Sequence, residues 1–147
     1  MRLPLIVAAL LICAQQTVSV TLSISASSAG GLGGPDWWFV DIKPDGDVVV
    51  TPRATLEKNT LESAAMIALA DQVRELRLLD LKDTYGTTCV DCSACILRIS
   101  LGEKRKTIRV GDVSKSSDQD RAEAVRVLTL FKKVKELAGI SKWEDGC

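Results

Sequence analysis

Residues 37–51, WWFVDIKPDGDVVVT, decide the fold class of this chain. Two mainly apolar segments, 37–42 and 47–51, flank the turn Pro44-Asp45-Gly46. Proline presets the backbone φ in such a turn, and glycine accepts its left-handed position. Side chains alternate along a strand, so each segment places its apolar residues on one face. The stretch therefore predicts a β-hairpin, and with it an antiparallel sheet.

The spacing of apolar residues predicts further strands and helices on both sides of this hairpin. Residues 17–26 alternate strictly between apolar and polar side chains, which predicts a half-buried strand. Residues 61–77 carry apolar side chains three and four positions apart, which is typical of a helix with one buried face. Residues 96–110 predict a second hairpin around Gly102-Glu103. A last helix is predicted over 120–138, with acidic residues at its start and lysines at its end.

The order of these elements is strand, hairpin, helix, hairpin, helix. It predicts an α+β domain with an antiparallel sheet of about five strands and two helices packed on one face. Helices that follow hairpins, rather than single strands, argue against a doubly wound fold. The 147 residues suffice for one domain, which we expect over residues 15–147.

The first residues have the pattern of a secretory signal peptide. Arg2 supplies a positive charge, and residues 3–14 form an apolar run that is interrupted only by proline. This run is shorter than the about 20 residues that a membrane-spanning helix needs. We expect a signal peptide over residues 1–14, with cleavage after Ser19 as the alternative, and therefore an exported protein, periplasmic or secreted.

Cys13 offers a second alternative for this segment, the acylated cysteine of a bacterial lipoprotein. Such signals carry a small residue immediately before the cysteine, and Ile12 is not small. Anchoring through Cys13 is therefore the less favoured interpretation. Contact with a membrane is expected only if this cysteine is lipidated.

Four cysteines remain once the signal peptide is removed, and an even number is typical of a disulfide framework in a small exported domain. They are Cys89, Cys92, Cys95 and Cys147. Three pairings are open, and we favour one bridge inside the 89–95 loop and one from that loop to Cys147. By the entropy of loop closure, the second bridge would stabilise the fold by roughly 4 kcal/mol.

The spacing Cys-x2-Cys-x2-Cys over residues 89–95 also supports an alternative, a metal-binding or thiol-redox protein. It resembles part of a ferredoxin cluster loop, and Cys147 would have to supply the fourth thiolate for an iron–sulfur cluster or for zinc. A redox-active Cys-x-x-Cys pair usually opens a helix, whereas this triplet precedes a predicted strand. Thiolate ligands are also at odds with an oxidising compartment, so we expect disulfides and no cofactor.

The rest of the composition limits the function further. The chain has no histidine, which removes Ser-His-Asp and Cys-His activation and histidine-ligated metals. The 19 basic and 19 acidic residues balance, so no basic excess points to nucleic acid. Paired carboxylates would still permit a hydrolase, but no catalytic motif is present and we expect no enzyme. Asp83, Tyr85 and Asp91 flank the cysteine loop as candidate site residues, although such residues are more typical of turns.

Four short motifs carry a resemblance to a known family. They are the hairpin 37–50, the segment Leu81-Lys82-Asp83-Thr84-Tyr85, the strand 107–110, and Ala138-Gly139 followed by Trp143. Together they resemble an uncharacterised family of exported bacterial proteins and lipoproteins, a domain of unknown function. Members typically carry a cysteine turn before the first hairpin, where this chain has the glycine-rich segment 30–35. The resemblance implies export and interchangeable cysteine staples, but no activity. We therefore expect a non-enzymatic binding or interaction domain, with a protein or envelope component as partner.

Overall fold

The computed structural model describes residues 21–29, 38–51, 59–87 and 93–140. The predicted signal peptide, with Cys13, lies outside these ranges. The elements in chain order are strands β1 (Leu22–Ala29), β2 (Trp38–Ile42), β3 (Asp47–Thr51) and β4 (Asn59–Thr60), helix α1 (Ser63–Glu75), a 3-10 helix (Leu78–Asp80), strands β5 (Thr84–Tyr85), β6 (Ala94–Leu101) and β7 (Lys104–Val110), and helix α2 (Asp118–Leu137).

The seven strands of the described ranges form one mixed sheet in the order β4-β3-β2-β1-β6-β7-β5. β1 lies at its centre, where Ser25 is opposite Asp41 of β2 on one side and Arg98 of β6 on the other. Neighbouring strands are antiparallel except for β5 and β7, which are parallel. The predicted α+β class is confirmed. The predictions of about five strands and of a purely antiparallel sheet were wrong.

The sequence pattern does not predict β4 and β5, because each of these strands has only two residues. β4 pairs Asn59 with Val48 and Thr60 with Asp47, and both of its own residues are polar. β5 comes shortly before the 89–95 loop, and two residues are too few to show the alternation of a strand. It is a strand because it pairs with the outer edge of β7, with Thr84 beside Arg109 and Tyr85 beside Val110. The Arg109 N–H donates to the Asp83 carbonyl at 2.8 Å, which extends this parallel pairing.

The predicted turn between β2 and β3 is confirmed, and glycine is required in it. Gly46 has φ +88°, and a Cβ added there would lie 2.4 Å from the Leu61 carbonyl oxygen. The same two residues are hydrogen-bonded, since the Leu61 N–H donates to the Gly46 carbonyl at 2.8 Å. The turn therefore fixes where the chain leaves β4 and enters α1.

On the strands, alternate side chains point to one face of the sheet. They form a single hydrophobic core with one side of each helix. α1 contributes Met66, Leu69, Ala70 and Val73, and α2 contributes Ala124, Val127, Leu130, Phe131 and Val134. The strand residues in this core are Leu22, Ile24, Ala26, Val40, Ile42, Val48, Tyr85, Cys95, Leu97, Ile99, Ile108 and Val110. Because strand side chains alternate, the residues between them point to the opposite face of the sheet.

Candidate functional site

Cys95 is the one predicted cysteine that the described ranges contain, since Cys89, Cys92 and Cys147 lie outside them. Its side chain points from β6 into the core and is 1% exposed. In the sheet, Cys95 lies opposite Ser28 of β1 and Val110 of β7. Cys95 is disulfide-bonded. The number and pairing of the bridges stay predictions. Within the described ranges, no group of three or more Cys, Asp or Glu side chains is arranged to hold a metal ion.

Tyr85, a candidate from the sequence, is buried at the start of α2 and joins that helix to the segment before β5. Its hydroxyl donates to Glu123 Oε2 at 2.7 Å and accepts from the Lys82 backbone N–H at 2.9 Å. Gln119 Nε2 donates to the other Glu123 oxygen at 3.0 Å. The Lys82 ammonium binds the Asp120 carboxylate. These five residues are called the Tyr85 cluster below.

The electrostatics of the Tyr85 cluster favour permanent pairing over proton transfer. Burial, and then the bond to Glu123, raises the pKa of Tyr85 to about 12. The hydroxyl of Tyr85, followed by the Gln119 amide, lowers the pKa of Glu123. The bond to Asp120 raises the pKa of Lys82. A general acid or base needs a pKa near the working pH, and these shifts lead away from it. The cluster therefore suits a structural role.

The other two candidates around the cysteine loop are not brought into this cluster by anything in the described structure. Asp83 is exposed, and its carboxylate pairs with the Lys106 ammonium at 2.5 Å, which ties the segment before β5 to β7. Asp91 lies outside the described residues. A converging pair of acids, as a carboxylate hydrolase would need, does not form between Asp83 and Glu123, since each is bound to a different partner.

The strand side chains that point away from the core form a second surface, which we call the open face. No helix of the described ranges covers it, and its side chains are exposed or half-buried. It consists of Ser23, Ser25 and Ser27 on β1, Phe39 and Asp41 on β2, Asp47 and Val49 on β3, Ile96, Arg98 and Ser100 on β6, and Arg105, Thr107 and Arg109 on β7. The serines of β1 have small side chains and run along the centre of this face, between the larger side chains of β2 and β6. We call them the serine strip.

Charge divides the open face into two halves. The basic half is formed by Arg98, Arg105 and Arg109 on β6 and β7. Asp41 and Asp47 lie on the other side of the serine strip, on β2 and β3. None of the three arginines forms an ion pair within the described residues. A guanidinium ion offers several donors, so this half has free binding capacity for an anionic partner.

In the part of the chain that the structure describes, two buried polar atoms on the open face also lack hydrogen-bond partners. They are Ser25 Oγ and Arg109 Nε. An unsatisfied buried polar group costs about 1–3 kcal/mol, so native proteins rarely keep one without a reason. Both atoms lie on the face that bears the arginines, which makes this surface the stronger candidate for binding.

Sequence reasoning missed the three arginines as a group. The signal was present, because Arg98 falls between the core residues Leu97 and Ile99, and Arg109 falls between Ile108 and Val110. The alternation of side chains along a strand is enough to place each arginine on the face that points away from the core. It does not say that β6 and β7 would be uncovered on that side.

Comparison with known proteins gives no family for the chain. No protein-family model matches it, and no curated protein is significantly similar to it. Within the described residues, neither helix has the length and apolar composition to cross a bilayer.

Proposed function

We propose that this chain is an exported, non-enzymatic binding domain stabilised by disulfides, and that the basic half of its open face binds an acidic segment of a protein partner. The observation that carries this is the grouping of Arg98, Arg105 and Arg109 on the uncovered side of the sheet. The exposure of Arg98 and Arg105 supports it, because a carboxylate is the preferred acceptor for a guanidinium ion.

The Tyr85 cluster supports a non-enzymatic role. Its titratable groups are bound to one another, and burial keeps the Tyr85 hydroxyl protonated. The chain also has no histidine to act as a base near neutral pH. These observations favour binding over catalysis as the function of the domain.

Export is supported by the sequence pattern of residues 1–14 and by the resemblance to a family of exported proteins. A disulfide at Cys95 is consistent with an oxidising compartment. The alternative of metal binding or thiol redox chemistry in the 89–95 loop has no supporting contact in the described residues. A half-cystine at Cys95 also leaves no thiolate there for a metal.

The test is a binding measurement with a fluorescent polyglutamate peptide and the chain without residues 1–14. We expect binding that the double variant Arg98→Glu/Arg105→Glu weakens by roughly tenfold or more, since two attractive charge pairs become repulsive. The matched control is Lys132→Glu/Lys133→Glu on the exposed side of α2, which changes the net charge equally. The control should bind as the unaltered protein does.

Equal losses in the two double variants would show attraction by net charge alone and would contradict a site on the open face. Failure of the unaltered protein to bind the peptide at low salt would overturn the proposal that acidic segments are its ligands. Both variants are first compared with the parent by circular dichroism and thermal unfolding, so that a lost fold is recognised.

A further inference from the structure

The outer edge of β7 is only partly covered. β5 pairs only with Arg109 and Val110, so within the described ranges no strand pairs with residues 104–108 on the outer side of β7. On its inner side β7 pairs continuously with β6, from Lys104 opposite Leu101 to Val110 opposite Cys95. Among the described residues, these five residues of β7 are therefore paired with a strand on one side only.

The direction of the backbone groups along this edge follows from the contacts to β5. The N–H groups of Arg109 and Gly111 point outward, since they donate to the carbonyls of Asp83 and Tyr85 at 2.8 and 2.9 Å. Direction alternates along a strand, and the unbroken register with β6 excludes a bulge. The N–H and C=O groups of Arg105 and Thr107 therefore point outward too. Neither residue has a backbone partner on that side in the described structure.

The charge of the edge decides what can pair with it. Lys104, Arg105, Lys106 and Arg109 make it basic. Lysine-rich edges are a means by which proteins prevent their own sheets from joining edge to edge. A second copy of this chain would be repelled, whereas a strand that carries carboxylates would be attracted. Lys106 is already paired with Asp83, and Lys104 points to the other face of the sheet, so the positive side chains left for a partner on the open face are those of the arginines.

We propose that the acidic protein segment binds as an additional β-strand beside residues 104–108 of β7, in line with β5. This inference rests on the proposed function and names its binding mode, strand addition to a sheet edge. Side chains of an added strand alternate between the two faces, and on the open face they lie beside Arg105 and Thr107. The segment would therefore carry carboxylates at every second position.

The experiment uses two labelled peptides of equal composition, one alternating glutamate and threonine, the other with all its glutamates in one block. We expect the alternating peptide to bind several-fold more tightly, because only it can place its carboxylates on one face. The variant Thr107→Pro removes an outward N–H and no bond to β6, and it should weaken binding roughly tenfold. Its matched control, Thr107→Val, keeps the N–H and should bind as the parent does.

A second measurement needs no variant. Amide hydrogen exchange of the unaltered protein should slow at Arg105 and Thr107 when the alternating peptide is added, since both N–H groups would become hydrogen-bonded. Unchanged exchange at these amides in the presence of bound peptide would overturn strand addition.

The outcomes separate this inference from the proposed function. If Thr107→Pro folds and binds like the parent while Arg98→Glu/Arg105→Glu does not, the open face binds acidic segments but not as an added strand. Equal binding of the two peptides by the unaltered protein would likewise refute the strand. If the unaltered protein binds neither peptide, both proposals fail.

Discussion

Replacing Tyr85 by phenylalanine tests whether the Tyr85 cluster stabilises the fold. The substitution keeps the buried ring and removes only the hydroxyl, which makes one hydrogen bond to the Glu123 carboxylate and one to the Lys82 N–H. A hydrogen bond contributes about 1 kcal/mol net, and more when one partner is charged. We expect the free energy of unfolding in urea at neutral pH to fall by roughly 2 kcal/mol.

The sign of the pH dependence follows from Glu123. Its pKa is lowered in the folded protein, so its contribution to stability is present above the ordinary carboxyl pKa and is lost as the pH falls through the folded value. The stability gap between the parent and Tyr85→Phe should therefore narrow in acid. A control variant, Glu123→Gln, keeps an acceptor without the charge and should remove most of this dependence.

The titration of Tyr85 at alkaline pH can be measured directly, because Tyr85 is the only tyrosine of the chain. Its pKa is raised to about 12 in the folded state, so stability is fully present below the unfolded pKa, about 10, and is lost as the pH rises toward 12. Tyrosinate absorbance should titrate near 12 in the native protein and about two pH units lower in urea. A native midpoint near 10, or a stability gap that does not respond to acid, would refute this account of the cluster.

Three further outcomes are expected. Arg126→Met removes two charge-assisted donors from the Leu76 carbonyl at the end of α1, one of them at 2.8 Å, and should cost about 1.5–3 kcal/mol in urea unfolding; an unchanged midpoint would show that the bond is dispensable. Gly86→Ala should destabilise far more than Gly102→Ala: both have positive φ, but an added Cβ lies 2.4 Å from a backbone oxygen at Gly86 and meets nothing within 4 Å at Gly102. In intact-mass analysis, the four cysteines outside the signal peptide should react with an alkylating agent only after reduction, with no metal bound; free thiols with stoichiometric zinc or iron would make the 89–95 loop the functional site instead.

The long periodic elements could be predicted from the sequence because their patterns are local. The first helix was predicted over 61–77 and spans Ser63–Glu75, and the last was predicted over 120–138 and spans Asp118–Leu137. Ser117 marks the true start of α2, since its hydroxyl accepts the Asp120 N–H at 3.1 Å. The range alone does not tell which leucines of α2 face the core: Leu130 is fully buried, whereas Leu128 is only partly so.

The features that could not be predicted depend on contacts between distant residues. Tyr85 and Glu123 are 38 positions apart, and nothing local to either residue indicates the other. The parallel pairing of β5 with β7 follows from the path of the chain around the sheet edge, which a two-residue strand does not encode. The basic half of the open face likewise requires knowing that β6 and β7 are neighbours and that both helices pack on their other side.

The central position of β1 has a consequence for how the protein folds. β2 follows β1 closely in the chain, but the other neighbour, β6, pairs Leu22 with Leu101, which are 79 positions apart. Hairpins form within microseconds, whereas contacts of high sequence separation dominate slow folding. A chain released only as far as α1 holds its middle strand with one side unpaired. Such an unpaired strand is prone to aggregation, so the interval before residues 94–101 arrive is when this protein most needs protection.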